Sequence, residues 1–367
     1  MKNCLLMLGL LLVVSGCVET KVIEESSLIQ ASAFDKAEDG KIKHTITYPS
    51  FIDQGEESHL RVKMLSAVAE TTQKTSSDME NKSQRTLRIG QLRVVLIGRE
   101  LAEDGIKTIL DTYYRDPMVG NRIYIAVTDE DAEESVKIAT LERGERAGMY
   151  FSDLIKHNVE NENMPETNLH LFVFAMFSEG KDPHLPYIGQ TGERAEIEGT
   201  ALFKGAESKM VGKLDMDESF LLQKLKIGPA EGTKQFHVDW GDIDSHVFLE
   251  DIHSETRISM DQEAPEPTFT IKITMRGIIN DFDERLDLGV EGKMEKMEKS
   301  MSKQLEEEMK QLLVKLQELE VDPAGFGQQY RQAHKGWDRE EFYDEIYPNL
   351  QFNFDVEVNV VQSGAVE

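Results

Sequence analysis

Met294-Glu295-Lys296-Met297-Glu298-Lys299-Ser300-Met301-Ser302-Lys303-Gln304-Leu305-Glu306-Glu307-Glu308-Met309 lies in the stretch, residues 291–320, that decides the fold class. Met294, Met297, Met301, Leu305, Met309, Leu312, Leu316 and Leu319 recur at steps of three and four, which puts them on one stripe of an α-helix. The other face is charged, with Glu295 and Glu306 each four residues before a lysine, the supporting order. Asp322-Pro323 and Gly325 end the helix. Such a stripe suits a helix laid across a sheet. A coiled-coil or partner helix is the other reading, since methionines make an adaptable surface when exposed.

Strands are written on either side of that helix. From Leu350 to Val360 every second residue is apolar, with Gln, Asn, Asp, Glu and Asn between, so one strand face is buried and one is wet. Upstream, strands are predicted near 197–205, 235–239, 246–260 and 268–280, with a proline-containing acidic loop from Asp261 to Pro267. A sheet with a long helix is an α+β pattern.

Further out, residues 178–196 are rich in turn formers and are read as a domain boundary. Before them, Leu92–Gly98 and Arg122–Val127 read as strands. The helical spacing of Leu101, Ile106, Ile109, Leu110 and Tyr113 lies between, and Arg115-Asp116-Pro117 closes that helix. This order permits a βαβ crossover. Ile29–Phe34 and Lys41–Pro49 are predicted to form a hairpin about a turn at Asp35–Gly40. Residues 70–86 read as a polar surface segment, 145–156 as a helix, and Leu169–Phe177 as an apolar strand. The expected fold is a multi-domain α+β protein of mixed sheets with packed helices, one long amphipathic helix lying in the C-terminal domain. Its parts are an N-terminal signal over 1–16, a domain over 17–190 that could divide into two, and a domain over 197–367.

The 367 residues carry 41 Lys and Arg against 68 Asp and Glu, a formal charge of −27. So acidic a surface argues against binding a phosphate backbone, hence no nucleic-acid partner is expected. The two cysteines, Cys4 and Cys17, both lie at the amino end, which excludes a disulfide framework and a Cys-rich metal site.

That amino end has the parts of an export signal: Lys2, an apolar run from Leu5 to Val14, then small residues. The run is too short to span a bilayer core of ~30 Å as a helix. Val14-Ser15-Gly16-Cys17 is similar to the lipobox of bacterial lipoproteins. Cys17 is therefore the expected lipidation site, as an N-palmitoyl and S-diacylglycerol cysteine, and several acyl chains are enough for stable membrane attachment. Cleavage removes Lys2, taking the charge from −27 to −28, and leaves no free thiol for catalysis.

No P-loop, G-x-G-x-x-G, H-E-x-x-H or G-x-S-x-G pattern occurs. The densest polar group is His237, Asp239, Asp242, Asp244, His246, Glu250, Asp251, His253 and Glu255, whose imidazoles and carboxylates are metal-ligand types. Their spacing follows no known site, and a solvated hairpin accounts for them. No catalytic, cofactor-binding or metal-ligating residue is assigned, and no cofactor is expected.

Several segments in shared order resemble the Ger(x)C family, the lipoprotein C subunits of spore germinant receptors. They are Gly16-Cys17, Val95–Gly105, Tyr114-Arg115-Asp116-Pro117 and Glu198-Gly199-Thr200, followed by Asp322-Pro323-Ala324-Gly325-Phe326-Gly327, Trp337 and Ile346-Tyr347-Pro348-Asn349-Leu350. Val18-Glu19-Thr20 stands where the family usually has Trp-Asp-Arg. The resemblance implies a non-enzymatic subunit of several α+β domains. It implies a place on the outer face of the spore inner membrane beside integral-membrane A and B subunits, and action in nutrient-triggered germination. Two alternatives remain from the residues alone: a solute-binding lipoprotein with a pocket between domains, and a secreted metal-dependent hydrolase using His237–Glu255.

Overall fold

The computed structural model describes residues 26–54, 57–205, 207–240, 243–261, 267–282 and 292–363. The first half contains β1 (Ser26–Leu28), β2 (Ala31–Lys36), β3 (Ile42–Gln54), β4 (Glu57–Ala69), α1 (Thr72–Glu80), β5 (Thr86–Arg88), β6 (Val94–Gly98), α2 (Arg99–Asp104), α3 (Lys107–Tyr114), β7 (Tyr124–Thr128), α4 (Ala132–Lys137), α5 (Ala147–Glu160), α6 (Leu169–Met176), β8 (His184–Thr191), β9 (Arg194–Lys204) and β10 (Lys209–Leu214). Then come α7 (Met216–Lys224), β11 (Gly228–Trp240), β12 (Ile243–Asp261), β13 (Thr268–Phe282), α8 (Lys293–Glu318), α9 (Phe326–Ala333) and β14 (Gln351–Ser363). This is the expected mixed α+β architecture.

Eight strands form one sheet in the order β10-β9-β8-β7-β6-β2-β3-β4, with β1 and β5 a separate parallel pair. Its centre, β8-β7-β6-β2, is parallel and its flanks are antiparallel. Parallel strands need covered faces, and both are covered here. Val95, Ile97, Ile125 and Val127 pack under α3 and α6, while Val94, Leu96 and Ala126 pack under α4 and α5. The strand–helix–strand prediction holds, with β6 parallel to β7. The predicted single helix over 101–113 is two helices, broken where Gly105 takes φ 120°.

Four strands form the second sheet, in the order β11-β12-β13-β14. α8 is the predicted long helix, and Met297, Met301, Leu305, Met309, Leu312, Leu313 and Leu316 are buried along it. They meet Phe236, Val238, Ile271, Ile273 and Val358 of the sheet. The helix also closes both sheet edges. The β11 amides of His237 and Asp239 donate to Gln304 Oε1 (2.8 Å) and Ser300 Oγ (3.2 Å). The β14 amides of Val358 and Val360 donate to Ser302 Oγ (2.9 Å) and Glu298 Oε1 (2.8 Å). Edge amides left open are templates for further strand pairing, and here side chains occupy them.

Two further sequence readings are corrected. Leu169–Phe177 is not a strand: Leu169–Met176 is α6, started by the Asn168 side chain accepting from Leu171 N. An apolar run of this length does not reveal its period, and the burial of Leu169, Phe172 and Val173 is helical. Residues 70–86 are not merely a surface segment, since 72–80 form α1, with Thr71 as N-cap and Thr72, Thr75 and Met79 buried. Residues 178–196, the stretch read as a domain boundary, contain β8, whose Leu185–Gly189 segment is buried and leads into the β8–β9 hairpin.

Candidate functional site

Cys17, the expected lipidation site, lies outside the described residues, as does Asp242. The rest of the polar group sits on the β11–β12 hairpin, where Asp251 is described in backbone only. His237 and His246 pair across the strands with ring centroids 5.1 Å apart, and His237 Nε2 lies 2.7 Å from Asp244 Oδ1. His253 pairs instead with Glu231 at 3.3 Å, and Glu255 with Arg257 at 2.9 Å. His237, Asp239, Asp244, His246, His253 and Glu255 all lie on the wet face. Among the described residues no three His, Cys, Asp or Glu side chains converge on a point that could hold a metal ion.

The polar groups that are brought together lie elsewhere. In the first half, a cavity of about 280 Å³ has His44, Ser32 and Tyr113 in its lining. His44 stacks on Phe34 at 4.1 Å, and burial holds its pKa down at about 3. The imidazole is therefore neutral, which fixes the direction of its contacts. Thr75 donates to Thr72 O (2.8 Å), so its oxygen accepts from His44 Nδ1 (3.1 Å). His44 Nε2 is then an acceptor for Ser32 Oγ at 3.4 Å, and Tyr113 reaches the same serine. The chain is a satisfied core network.

The second assembly is the seam between the two sheets, built on the Asp322–Gly327 segment. The Asp322 amide donates to Asp182 Oδ2 (2.8 Å), and the Asp182 amide donates to Asp322 O (2.9 Å). The Asp322 carboxylate accepts from Gly325 N and Gly327 N, each at 2.7 Å, which caps the start of α9. Burial and the nearby Asp182 push the Asp322 pKa up to about 7. Arg339 reaches Asp182 Oδ1 at 3.4 Å and the Ser178 carbonyl at 3.0 Å. Gln328 N donates to Gly180 O at 2.9 Å, and a Cβ on Gly180 (φ 102°) would stand 2.5 Å from Gly327 C. Glycine is needed there both for the dihedral and for the close approach. Behind the seam, Tyr330, Trp337, Phe342, Tyr343 and Tyr347 form one aromatic cluster, and Tyr347 OH donates to Val321 O (2.7 Å). The quoted C-terminal motifs thus hold the two halves together. Their partners Gly180 and Asp182 went unrecognised because they lie in the turn-rich stretch.

Comparison with known proteins divides the chain at the β8–β9 hairpin, within the first sheet. Residues 19–190 match the family model described as the spore germination protein N-terminal domain, and residues 198–364 match spore germination B3/GerAC like, C-terminal. The chain is 30% identical over 367 residues to spore germination protein GerQC of Bacillus cereus, with all of both chains covered. It is 24% identical to spore germination protein B3 of Bacillus subtilis (strain 168), covering 98% of this chain and 97% of that one. The crystal structure of the GerBC protein superposes with a TM-score of 0.58 at 19% identity, covering 90% of this chain and 96% of that one.

Proposed function

The chain belongs to the Ger(x)C family of spore germination proteins, and from that premise we propose that it is the C subunit of a nutrient-germinant receptor. It is held to the outer face of the spore inner membrane by acyl groups on Cys17, and it assembles there with integral-membrane A and B subunits. It acts without catalysis of its own. The observation that carries the reading is the full-length match to a germination protein of a chain in which Gly16-Cys17 follows the apolar run Leu5–Val14. No helix among the described residues is long and apolar enough to cross a membrane, and acyl chains on Cys17 are enough for stable attachment. Eight residues separate Cys17 from Ser26, so at ~3.3–3.6 Å per residue the folded body stays within about 30 Å of the bilayer.

Cys17→Ala tests this directly. The variant is expected to leave the membrane fraction of spores and to abolish germination with nutrients, while germination that bypasses receptors proceeds. Wild-type nutrient germination from spores in which the variant is wholly soluble overturns the reading.

A further inference from the structure

The cleft beside the seam contains polar groups that the seam does not use. It lies between α6, the lead into β8, the end of α7 and the start of α9, and encloses about 440 Å³, within the ~300–1,000 Å³ of small-molecule sites. Lys181, which lines it, makes no hydrogen bond or ion pair among the described residues, and burial holds its amine below the usual lysine range. His184 lines it too. Its ring is buried, with the Glu166 backbone as a polar neighbour, and burial next to Lys181 keeps it neutral. Gln223, 4% exposed, adds a carboxamide to the same wall. An amine, an imidazole and a carboxamide thus line one hollow with hydrogen-bonding capacity left over, and buried polar groups normally find partners.

The lining also specifies what that is. Lys181 and Lys226 face the cleft, Lys181 drawn to the nearby Asp322 carboxylate and repelled by Lys226, with Glu166 the one acid in the lining, in a chain whose net charge is −27. The hollow is locally cationic on an acidic molecule and selects an anion. Its mouth is apolar: Leu171 is 37% exposed and Ile227 58%. A bare inorganic ion would leave those side chains in water. We infer that the cleft between the two halves binds a small organic carboxylate, its charge on Lys181 and Lys226 and its short apolar tail on Leu171 and Ile227. His184 and Gln223 hydrogen-bond to its polar atoms. Such a ligand touches both halves and stabilises their association by mass action. The inference goes beyond membership of a receptor and does not depend on the lipid.

The test uses the full-length protein in mild detergent, titrated calorimetrically with 3-methylbutanoate and with its neutral isostere 3-methylbutanamide. Saturable binding of the acid, with the amide at least about tenfold weaker, is the expected result. Lys181→Gln is expected to weaken the acid about tenfold, and Lys226→Gln, an exposed change, to weaken it less. No saturable signal, equal binding of acid and amide, or affinity indifferent to both variants overturns the inference. So does equal competition by chloride, which would mark an unspecific anion hollow.

Discussion

Strands β6 and β13 are both central strands, yet they bury their side chains differently. On β6 successive residues go to two cores: Val95 and Ile97 to one face, Val94 and Leu96 to the other. On β13 only alternate residues are buried. Ile271, Ile273 and Met275 lie under α8, while Lys272 and Arg276 stand in water. The larger sheet is a middle layer with helices on both sides, and the smaller one is an outer layer with a helix on one. A continuous apolar run and a strict alternation are the two sequence forms of that difference.

Core truncation tests it most strongly. Leu96→Ala and Ile97→Ala, adjacent on β6, are each expected to cost ~2–5 kcal/mol, and Ile273→Ala on β13 the same, measured by urea unfolding. If one of the two β6 variants is nearly neutral, that face is not a core and the layering assigned to the larger sheet is wrong.

That contrast also sets how much was legible. The smaller sheet and α8 follow from period alone, because a half-wet strand and a half-wet helix show their period in polarity. The buried run at α6 shows no such alternation, and there a helix reads as a strand. Ser300, Ser302, Gln304 and Glu298 read as a solvated helix face, but they bond the sheet edges, since period says which side is polar and not what it touches. The seam was half visible. Asp322–Gly327 stands out as a motif, but its partners lie about 140 residues away in a stretch whose composition signals only turns. Lys181 and His184 were hidden for the same reason. The hairpin histidines, conspicuous in sequence, sit on a wet face.

The two regions also differ in the sign of their buried charge chemistry. His44, in the first half, binds its proton less tightly folded than unfolded, since its pKa falls from 6.5 to about 3. Its contribution to stability is lost as pH drops through that window. Asp322, at the seam, binds its proton more tightly when folded, from 3.8 up to about 7, so its contribution is lost as pH rises through that window. Asp182 and Asp35 act in the same sense as Asp322, and His184 in the same sense as His44. The wild-type profile therefore sums opposing terms, and the variants separate them. Relative to wild type, Asp322→Asn is expected to gain stability as pH rises from 4 to 7, and His44→Gln to lose it from 3 to 6.5. The slope of each difference is at most about 1.4 kcal/mol per pH unit. Parallel slopes for the two variants in urea titrations would show that the groups do not differ in this way.

The smallest expected effect comes from the wet face of β13. Lys272 Nζ lies 2.5 Å from Asp355 Oδ2 across the parallel β13–β14 pair, with about half of each side chain exposed. The short contact looks stabilising, and it raises the lysine pKa through the hydrogen bond to Asp355. In water, however, the attraction between two exposed charges is screened, and holding two long side chains in one geometry costs entropy. Neighbouring Ile273 makes no ion pair, yet it loses a core contact when truncated. Lys272→Ala is thus expected to leave the urea midpoint within error of wild type, beside a large fall for Ile273→Ala one residue on. A comparable loss at both positions would mean that the outer face of the smaller sheet is covered in solution, and the half-wet reading of that sheet would fail.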